Sequence, residues 1–227
     1  LSFDVALHFG SLVAVLAYFR ADIVELIKAG FARVVYKERS PSADLFVLLI
    51  IATLPAVFFG VLFNEITEKY ARSTEVVATF TLVFALVLFF ADRKVSLGRL
   101  LKEMTWKDAF CIGMAQSIAL VPGTSRSGIT MTSTLQIWYD RKSAAKFSFL
   151  MSIPVIFGSS LLRSTDLIGS SLIELNVPIF FYGALISGIV AYLCIYFFLS
   201  LIERISFLPF VLYRVLLAII LLSMSLN

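Results

Sequence analysis

The sequence contains few charged residues, one histidine and six prolines. Only 15% of its 227 residues are Asp, Glu, Lys or Arg, whereas 60% are hydrophobic, and the mean hydropathy is +0.97. This composition lies far outside the range of soluble globular domains. The scarcity of proline leaves little material for linkers or disordered segments. We therefore expect one membrane domain over residues 1–227.

The rare residue types also argue against several kinds of site. The basic residues behind the net charge of +4 lie between hydrophobic stretches and form no patch with interleaved aromatics, which argues against nucleic-acid binding. Cys111 and Cys194 lie far apart in apolar segments and are interpreted as small hydrophobic residues. No group of His, Cys and carboxylate residues has metal-ligand spacing, so no protein metal site is predicted.

Six hydrophobic stretches approach the length of about 20 residues that a transmembrane helix needs. They are residues 2–19, 45–63, 76–91, 147–162, 178–202 and 205–226. A further segment, 108–138, consists of two apolar arms, each too short to cross, around a polar run from Pro122 to Ser127. It predicts a re-entrant helix, loop and helix, and such a loop at membrane depth implies a site. Residues 21–39 predict either an amphipathic helix on the membrane or an ordinary surface connection.

Basic residues are concentrated in alternate connections. The connections after the first and third predicted spans each hold five Lys or Arg residues, and these connections are expected in the cytoplasm. Three spans precede the re-entrant segment and three follow it, so the halves 1–107 and 108–227 are expected to be oppositely oriented. The predicted fold is an all-α polytopic membrane protein with six transmembrane helices, a re-entrant helix-loop-helix and an inverted-topology repeat. The symmetry predicts a second polar loop before Leu1, so we expect an N-terminal truncation.

The polar loop carries the chemistry. Pro122 and Gly123 end one helix, and Ser127 is placed to cap the next, so that a helix N-terminus points at the loop. Its amides, its dipole and the guanidinium of Arg126 together form a site for an anion, and phosphate suits a planar fork of donors best. An arginine inside a membrane is costly and normally faces a partner or a cavity. The alternative is a Gly-rich kink whose hydroxyls bond back to the helix.

A family resemblance begins at this loop. Residues 119–130, Ala-Leu-Val-Pro-Gly-Thr-Ser-Arg-Ser-Gly-Ile-Thr, resemble the signature of the undecaprenyl-diphosphate phosphatases, the bacitracin-resistance family of bacterial membrane enzymes. Segments 3–12, 147–154 and 204–214 are similar to family segments in the same order. The resemblance implies hydrolysis of undecaprenyl diphosphate to undecaprenyl phosphate and inorganic phosphate, which recycles the carrier lipid for cell-wall synthesis at the bacterial inner membrane. The family's second motif, closely spaced glutamates followed by Pro-Val-Ser-Ser-Thr-Gly-His, is not in this sequence.

The resemblance also implies roles for the loop residues. Arg126 is expected to clamp the diphosphate, with Ser125 beside it as a catalytic hydroxyl. Further substrate ligands are expected among the neighbouring residues Gly123, Thr124, Ser127, Gly128 and Thr130. A divalent cation, Mg²⁺ or Ca²⁺, is expected only in company with the diphosphate. The nucleophile and the base stay unassigned, because no base is adjacent to Ser125.

Polar residues outside the loop give further candidates. His8 follows Asp4 by one helical turn, and the pair either shares a proton or a metal ion or lies at the aqueous end of the first span. Arg214 either lines the lipid or phosphate path or reaches to the interface. Five carboxylates at span ends or in loops are interpreted as solvated: Glu65, Glu68, Asp92, Asp108 and Asp140.

Two other functions are compatible with parts of the sequence. A secondary transporter or lipid flippase for an anionic substrate also has inverted repeats with broken helices. A histidine-nucleophile lipid phosphatase shares a Ser-Arg element but requires histidines after the loop, and His8 is the only histidine. The predicted partners are the prenyl diphosphate and membrane lipids. The oligomeric state is open, with a homodimer among the options.

Overall fold

The computed structural model describes residues 2–70, 73–93, 98–169, 177–202 and 204–225, with side chains except at residues 2, 4, 64–70, 159–169 and 177. In these ranges the chain forms nine α-helices. They are α1 (Ser2–Tyr18), α2 (Arg20–Tyr36), α3 (Pro41–Tyr70), α4 (Thr74–Arg93), α5 (Trp106–Ser117), α6 (Arg126–Gln136), α7 (Arg141–Gly169), α8 (Val177–Ile202) and α9 (Leu208–Ser225). Long apolar runs with few interruptions by Gly or Pro favour this outcome.

Among the described residues, four helical segments are long and apolar enough to cross a membrane. They are Pro41–Phe63, Thr74–Arg93, Pro178–Ile202 and Leu208–Ser225, and each coincides with a predicted span. The first predicted span falls on α1, whose apolar part, Val5–Tyr18, is shorter. The stretch 147–162 lies inside α7. The prediction of an all-helical, multi-pass membrane protein is therefore confirmed.

The segment predicted to be re-entrant forms two short helices joined by a loop. α5 has 12 residues and α6 has 11, which makes them about 18 and 17 Å long at the α-helical rise. Each is too short for a hydrocarbon layer of about 30 Å. Thr105 begins α5 in a capping box with Asp108. α5 packs closely on α3, since a Cβ atom on Gly113 would lie 2.4 Å from the carbonyl oxygen of Ala52. The predicted helix, loop and helix are present.

The basic connections meet at one end of the bundle, and we call this the basic end. Arg99 pairs with Tyr139 in an isolated β-bridge, and its guanidinium lies 4.5 Å from the centre of the tyrosine ring. This contact joins the connection after α4 to the one after α6. At the opposite end, the hydroxyl of Ser225 donates to the Glu75 carboxylate at 2.6 Å, so the start of α4 lies beside the end of α9. The grouping agrees with the alternation of basic connections in the sequence.

Asp92 is not solvated, so the interpretation of this carboxylate was wrong. It is 5% exposed at the end of α4. Its Oδ1 accepts a hydrogen bond from Nε of Arg141 at 2.5 Å, and its Oδ2 accepts one from the Phe207 amide at 3.0 Å. The carboxylate therefore joins α4 to the start of α7 and to the turn before α9. These partners lie 49 and 115 residues away, and sequence position alone does not show that they converge.

Asp108 and Asp140 have structural partners as well. The Tyr139 hydroxyl donates to Asp108 at 2.8 Å, and the Ser143 amide donates to Asp140 at 2.6 Å. Burial raises the pKa of Asp108, but hydrogen bonds from Thr105 and Tyr139 and the charge of Arg99 outweigh it and hold the pKa below its ordinary value. The interpretation as solvated carboxylates was incomplete for both residues. The side chains of Glu65 and Glu68 lie outside the described residues.

α2 confirms that residues 21–39 are mainly helical. Leu26 and Gly30 are buried against the bundle. Ile27, Phe31 and Val34 are 59%, 61% and 77% exposed, so an apolar face is left outside the fold. That face is typical of a helix on a membrane surface, and its placement there stays a prediction.

Candidate functional site

The loop between α5 and α6 has an unusual backbone. Gly123 has a φ of +92°, and a Cβ atom there would lie 2.2 Å from the carbonyl oxygen of Val77 on α4. Only glycine fits this conformation and this contact. Ser125 has a φ of +65°, in a region that residues other than glycine rarely adopt. For a non-glycine residue such as Ser125 this conformation costs on the order of 1–3 kcal/mol, and strained residues collect at functional sites.

Ser125 caps α6, and the prediction that Ser127 does so was wrong. The Oγ of Ser125 accepts a hydrogen bond from the Gly128 amide at 3.2 Å. The positive φ of Ser125 turns the chain at once into helical geometry, so α6 begins at Arg126, earlier than the sequence pattern indicates. The amides of Arg126 and Ser127 belong to the first turn, where N–H groups have no acceptor within the helix. The loop therefore ends at a helix N-terminus that favours an anion.

Arg214 reaches this loop from α9. Its Nη2 donates to the carbonyl oxygens of Gly123 and Thr124, at 2.7 and 3.0 Å. Gly128 leaves room for the guanidinium, because a Cβ atom there would lie 2.7 Å from Nη1 of Arg214. The Thr81 hydroxyl also donates to the Gly123 carbonyl, at 3.2 Å. These contacts tie Arg214 to the loop, and its place on a lipid or phosphate path stays a prediction.

The loop and Arg214 line a cavity of about 460 Å³, which we call the loop cavity. Its polar side is formed by Gly123, Ser125, Ser127, Gly128 and Arg214. Its apolar side includes Leu88, Met131, Phe198, Phe207, Phe210 and Leu217. A few polar groups beside a largely apolar wall suit a ligand with an anionic head and a hydrocarbon tail.

Several buried polar atoms on the loop and its neighbours lack a hydrogen-bond partner within the described residues. They are Oγ1 of Thr124, Nη1 of Arg126, Nη1 of Arg214, and both Oε1 and Nε2 of Gln116. An unsatisfied buried group costs about 1–3 kcal/mol, and more when it is charged. Each such group therefore calls for a partner. The two arginine donors fit an anion that offers several oxygens.

The predicted site residues do not all face one cavity. Arg214 is among the residues that line the loop cavity, whereas Arg126 is not. Thr130 is 1% exposed, and its hydroxyl shares a 2.6 Å hydrogen bond with Ser148. It ties α6 to α7, and its role as a direct substrate ligand stays a prediction.

His8 and Asp4 have a separate position on α1. His8 is exposed and is not part of the loop cavity, whereas the side chain of Asp4 lies outside the described residues. α1 packs mainly against α7 and α8. In the part of the chain that the structure describes, no three His, Cys, Asp or Glu side chains are grouped so that they could hold a metal ion.

Two buried polar residues outside the loop were missed by sequence reasoning. Gln116 is 3% exposed near the end of α5, and a polar residue in an apolar arm was the available signal. Thr81 had no such signal, because a threonine in a span ordinarily bonds to its own helix. It does so here, with the Val77 carbonyl at 2.7 Å, in addition to its bond to Gly123.

Comparison with known proteins extends the similarity far beyond the loop. A family model described as bacitracin resistance protein BacA matches residues 1–220. An undecaprenyl-diphosphatase from Saccharophagus degradans is 47% identical over 217 residues, which are 96% of this chain and 81% of that protein. The family match includes α1 to α8 and most of α9, so it contains both the loop and Arg214.

Proposed function

The chain belongs to the bacitracin resistance protein BacA family, and we propose that it is an enzyme that hydrolyses undecaprenyl diphosphate to undecaprenyl phosphate and inorganic phosphate. The observation that carries this proposal is the loop with its helix N-terminus, flanked by two arginines whose buried Nη1 atoms lack hydrogen-bond partners among the described residues. The reaction recycles undecaprenyl phosphate, the carrier lipid for cell-wall synthesis. We accordingly assign the protein to the plasma membrane of a bacterium.

The two ends of the substrate fit two parts of the site. The inner phosphate lies in the loop cavity beside Arg214, and the first prenyl units run along its aromatic wall. The terminal phosphoryl group lies at the first turn of α6, where Arg126 and the free amides bind it. A Mg²⁺ or Ca²⁺ ion carried by the diphosphate is part of this proposal, and the chain would not hold that ion alone.

Hydrolysis breaks the bond between the terminal phosphorus and the bridging oxygen. Water supplies the new oxygen on the terminal phosphate, and undecaprenyl phosphate leaves with the bridging oxygen. Negative charge grows on that oxygen while the phosphoryl group is transferred, so positioning and charge neutralisation supply most of the catalysis. Ser125 accepts a hydrogen bond from Gly128, which leaves its own proton to donate to a phosphate oxygen.

The loop is proposed to open toward the outer leaflet. Gly123 packs on Val77, which lies three residues from the start of α4 and 16 from its end at Arg93. Along the helix these separations are about 5 and 24 Å. The start of α4 is at the end of the bundle opposite the basic connections. Since basic connections face the cytoplasm, this position supports access from the outer face.

Six spans and an inverted repeat complete the proposal. We pair α1 with α7, α3 with α8, and α4 with α9, within a single membrane domain whose halves are 1–107 and 108–227. The contacts between helices support this pairing, because α1 packs on α8 as α3 packs on α7. α1 also packs on α7, and α4 packs on α9, as expected for counterparts that face each other across a two-fold axis.

Movement of an anionic lipid across the membrane is the second candidate, and the broken helix between α5 and α6 favours it. The two candidates differ in detergent solution, where no compartments exist. The purified protein, mixed with undecaprenyl diphosphate in detergent, is expected to release inorganic phosphate catalytically. Lipid translocation in sealed vesicles without phosphate release would show that the protein transports the lipid and does not hydrolyse it.

A further inference from the structure

A second polar cavity lies at the basic end of the bundle and has a volume of about 610 Å³. We call it the basic-end cavity. It is formed by the start of α3, the connection from α2 and the segment before α5, with Arg33, Arg39, Asp44, Lys102, Met104 and Trp106 among its lining residues. It shares no lining residue with the loop cavity and has no role in the proposed hydrolysis.

The rim of this cavity has an excess of positive charge. Arg33 forms an ion pair with Asp44, so these two charges offset each other. Arg39 and Lys102 are exposed and have no hydrogen-bond or ion-pair partner within the described ranges. Glu103, next to Lys102, directs its carboxylate to the Leu100 amide at 2.6 Å. Two cations therefore line the cavity without an ion-pair partner among the described residues.

The floor of the same cavity is apolar. Leu48 and Met104 are each 8% exposed, and Ile51 continues this wall along α3. Ile51 lies ten residues beyond Pro41, which is about 15 Å along a helix that crosses the membrane. Trp106 is 61% exposed at the opening, and tryptophan is enriched at the level of lipid headgroups. We therefore expect the cavity to reach from headgroup level into the hydrocarbon layer.

We propose that the basic-end cavity binds an anionic phospholipid of the cytoplasmic leaflet. The lipid phosphate contacts Arg39 and Lys102, and an acyl chain passes Leu48 and Ile51. A soluble phosphate would leave the apolar floor unused, and a zwitterionic lipid would leave the excess cations without a counter-charge. The inference rests on this cavity alone and is independent of the proposed hydrolysis.

Quenching of Trp106 fluorescence tests the proposal. The chain has two tryptophans, so Trp138→Phe leaves Trp106 as a single reporter. This variant is reconstituted in phosphatidylcholine vesicles with increasing fractions of phosphatidylglycerol brominated on its acyl chains, and then with brominated phosphatidylcholine. Brominated phosphatidylglycerol is expected to quench Trp106 fluorescence at lower mole fractions than brominated phosphatidylcholine.

The double substitution R39Q/K102Q is expected to lower the preference for phosphatidylglycerol by about fivefold for each cation removed. The matched control R20Q/K28Q removes two exposed cations from α2 and is expected to change the preference by less than about twofold. Thermal midpoints of both variants report whether the fold is retained. An equal loss of preference in the two variants, or abolition of the preference by millimolar inorganic phosphate, would overturn the proposal.

Discussion

Arg214 on α9 donates a 2.7 Å hydrogen bond to the carbonyl oxygen of Gly123, a residue 91 positions earlier in the chain. The same Nη2 atom reaches the Thr124 carbonyl at 3.0 Å. Nη1 is buried and has no hydrogen-bond partner in the described part of the chain, which leaves a charged donor for a ligand. One guanidinium therefore fixes the loop and also faces the loop cavity, and the geometry of the site depends on the last helix.

Replacing Arg214 tests both roles. Arg214→Gln removes the charge and the fork of donors, and kcat/KM for phosphate release is expected to fall by about 100-fold to 1000-fold. Arg214→Lys keeps the charge without the planar fork, so we expect an intermediate loss. Arg204→Gln, an exposed arginine before α9, is the control and should change kcat/KM by less than about twofold. Normal kcat and KM in Arg214→Gln would remove this residue from the site.

The space beside Gly128 gives a second prediction. Alanine is the better helix former by about 0.5–1 kcal/mol, so Gly128→Ala should not lower the thermal midpoint strongly. Its Cβ atom would lie 2.7 Å from Nη1 of Arg214, so the guanidinium must move and phosphate release should fall. In a double-mutant cycle, Gly128→Ala combined with Arg214→Gln should be little worse than Arg214→Gln alone. Additive losses would show that Gly128 acts without Arg214.

Gly123→Ala is expected to destabilise the fold. The new Cβ atom would meet the Val77 carbonyl at 2.2 Å, in a backbone conformation that disfavours side chains. Together these effects cost about 2–4 kcal/mol. Gly158→Ala is the matched control, because a Cβ atom there would have no neighbour within 4 Å among the residues that the structure describes. Thermal unfolding in detergent measures both variants, and equal midpoints would refute the close packing of the loop on α4.

Asp92 is predicted to stabilise the basic end. Asp92→Ala leaves Arg141 and the Phe207 amide without their acceptor, and the free energy of unfolding should fall by about 2–3 kcal/mol, since Arg141 is only partly buried. Asp44→Ala removes an exposed ion pair with Arg33 and should cost less than about 1 kcal/mol. The measurement is thermal unfolding of both variants, and the difference between their two midpoints is compared. A small effect of Asp92→Ala would mean that this junction contributes little.

The parts of the fold that depend on local pattern were predictable. The short apolar arms around a Pro-Gly turn correctly indicated the helix, loop and helix, and Arg126 stood out because an arginine is rare in such a segment. Arg214 was ambiguous, since its contact with Gly123 depends on how α9 packs against the loop. The cap at Ser125 depended on a positive φ that its residue type does not indicate. The same limit applies to Asp92. Its partners are distant in sequence, so the pattern did not show that this carboxylate is buried and hydrogen-bonded.

We expect Arg126 to bind the diphosphate that the protein hydrolyses. The most direct measurement is the initial rate of phosphate release from undecaprenyl diphosphate by purified Arg126→Ala, with Arg204→Ala as the control. We expect a rate at least about 100-fold lower for Arg126→Ala at an unchanged thermal midpoint, and a normal rate for the control. A folded Arg126→Ala protein that releases phosphate at the normal rate would contradict it.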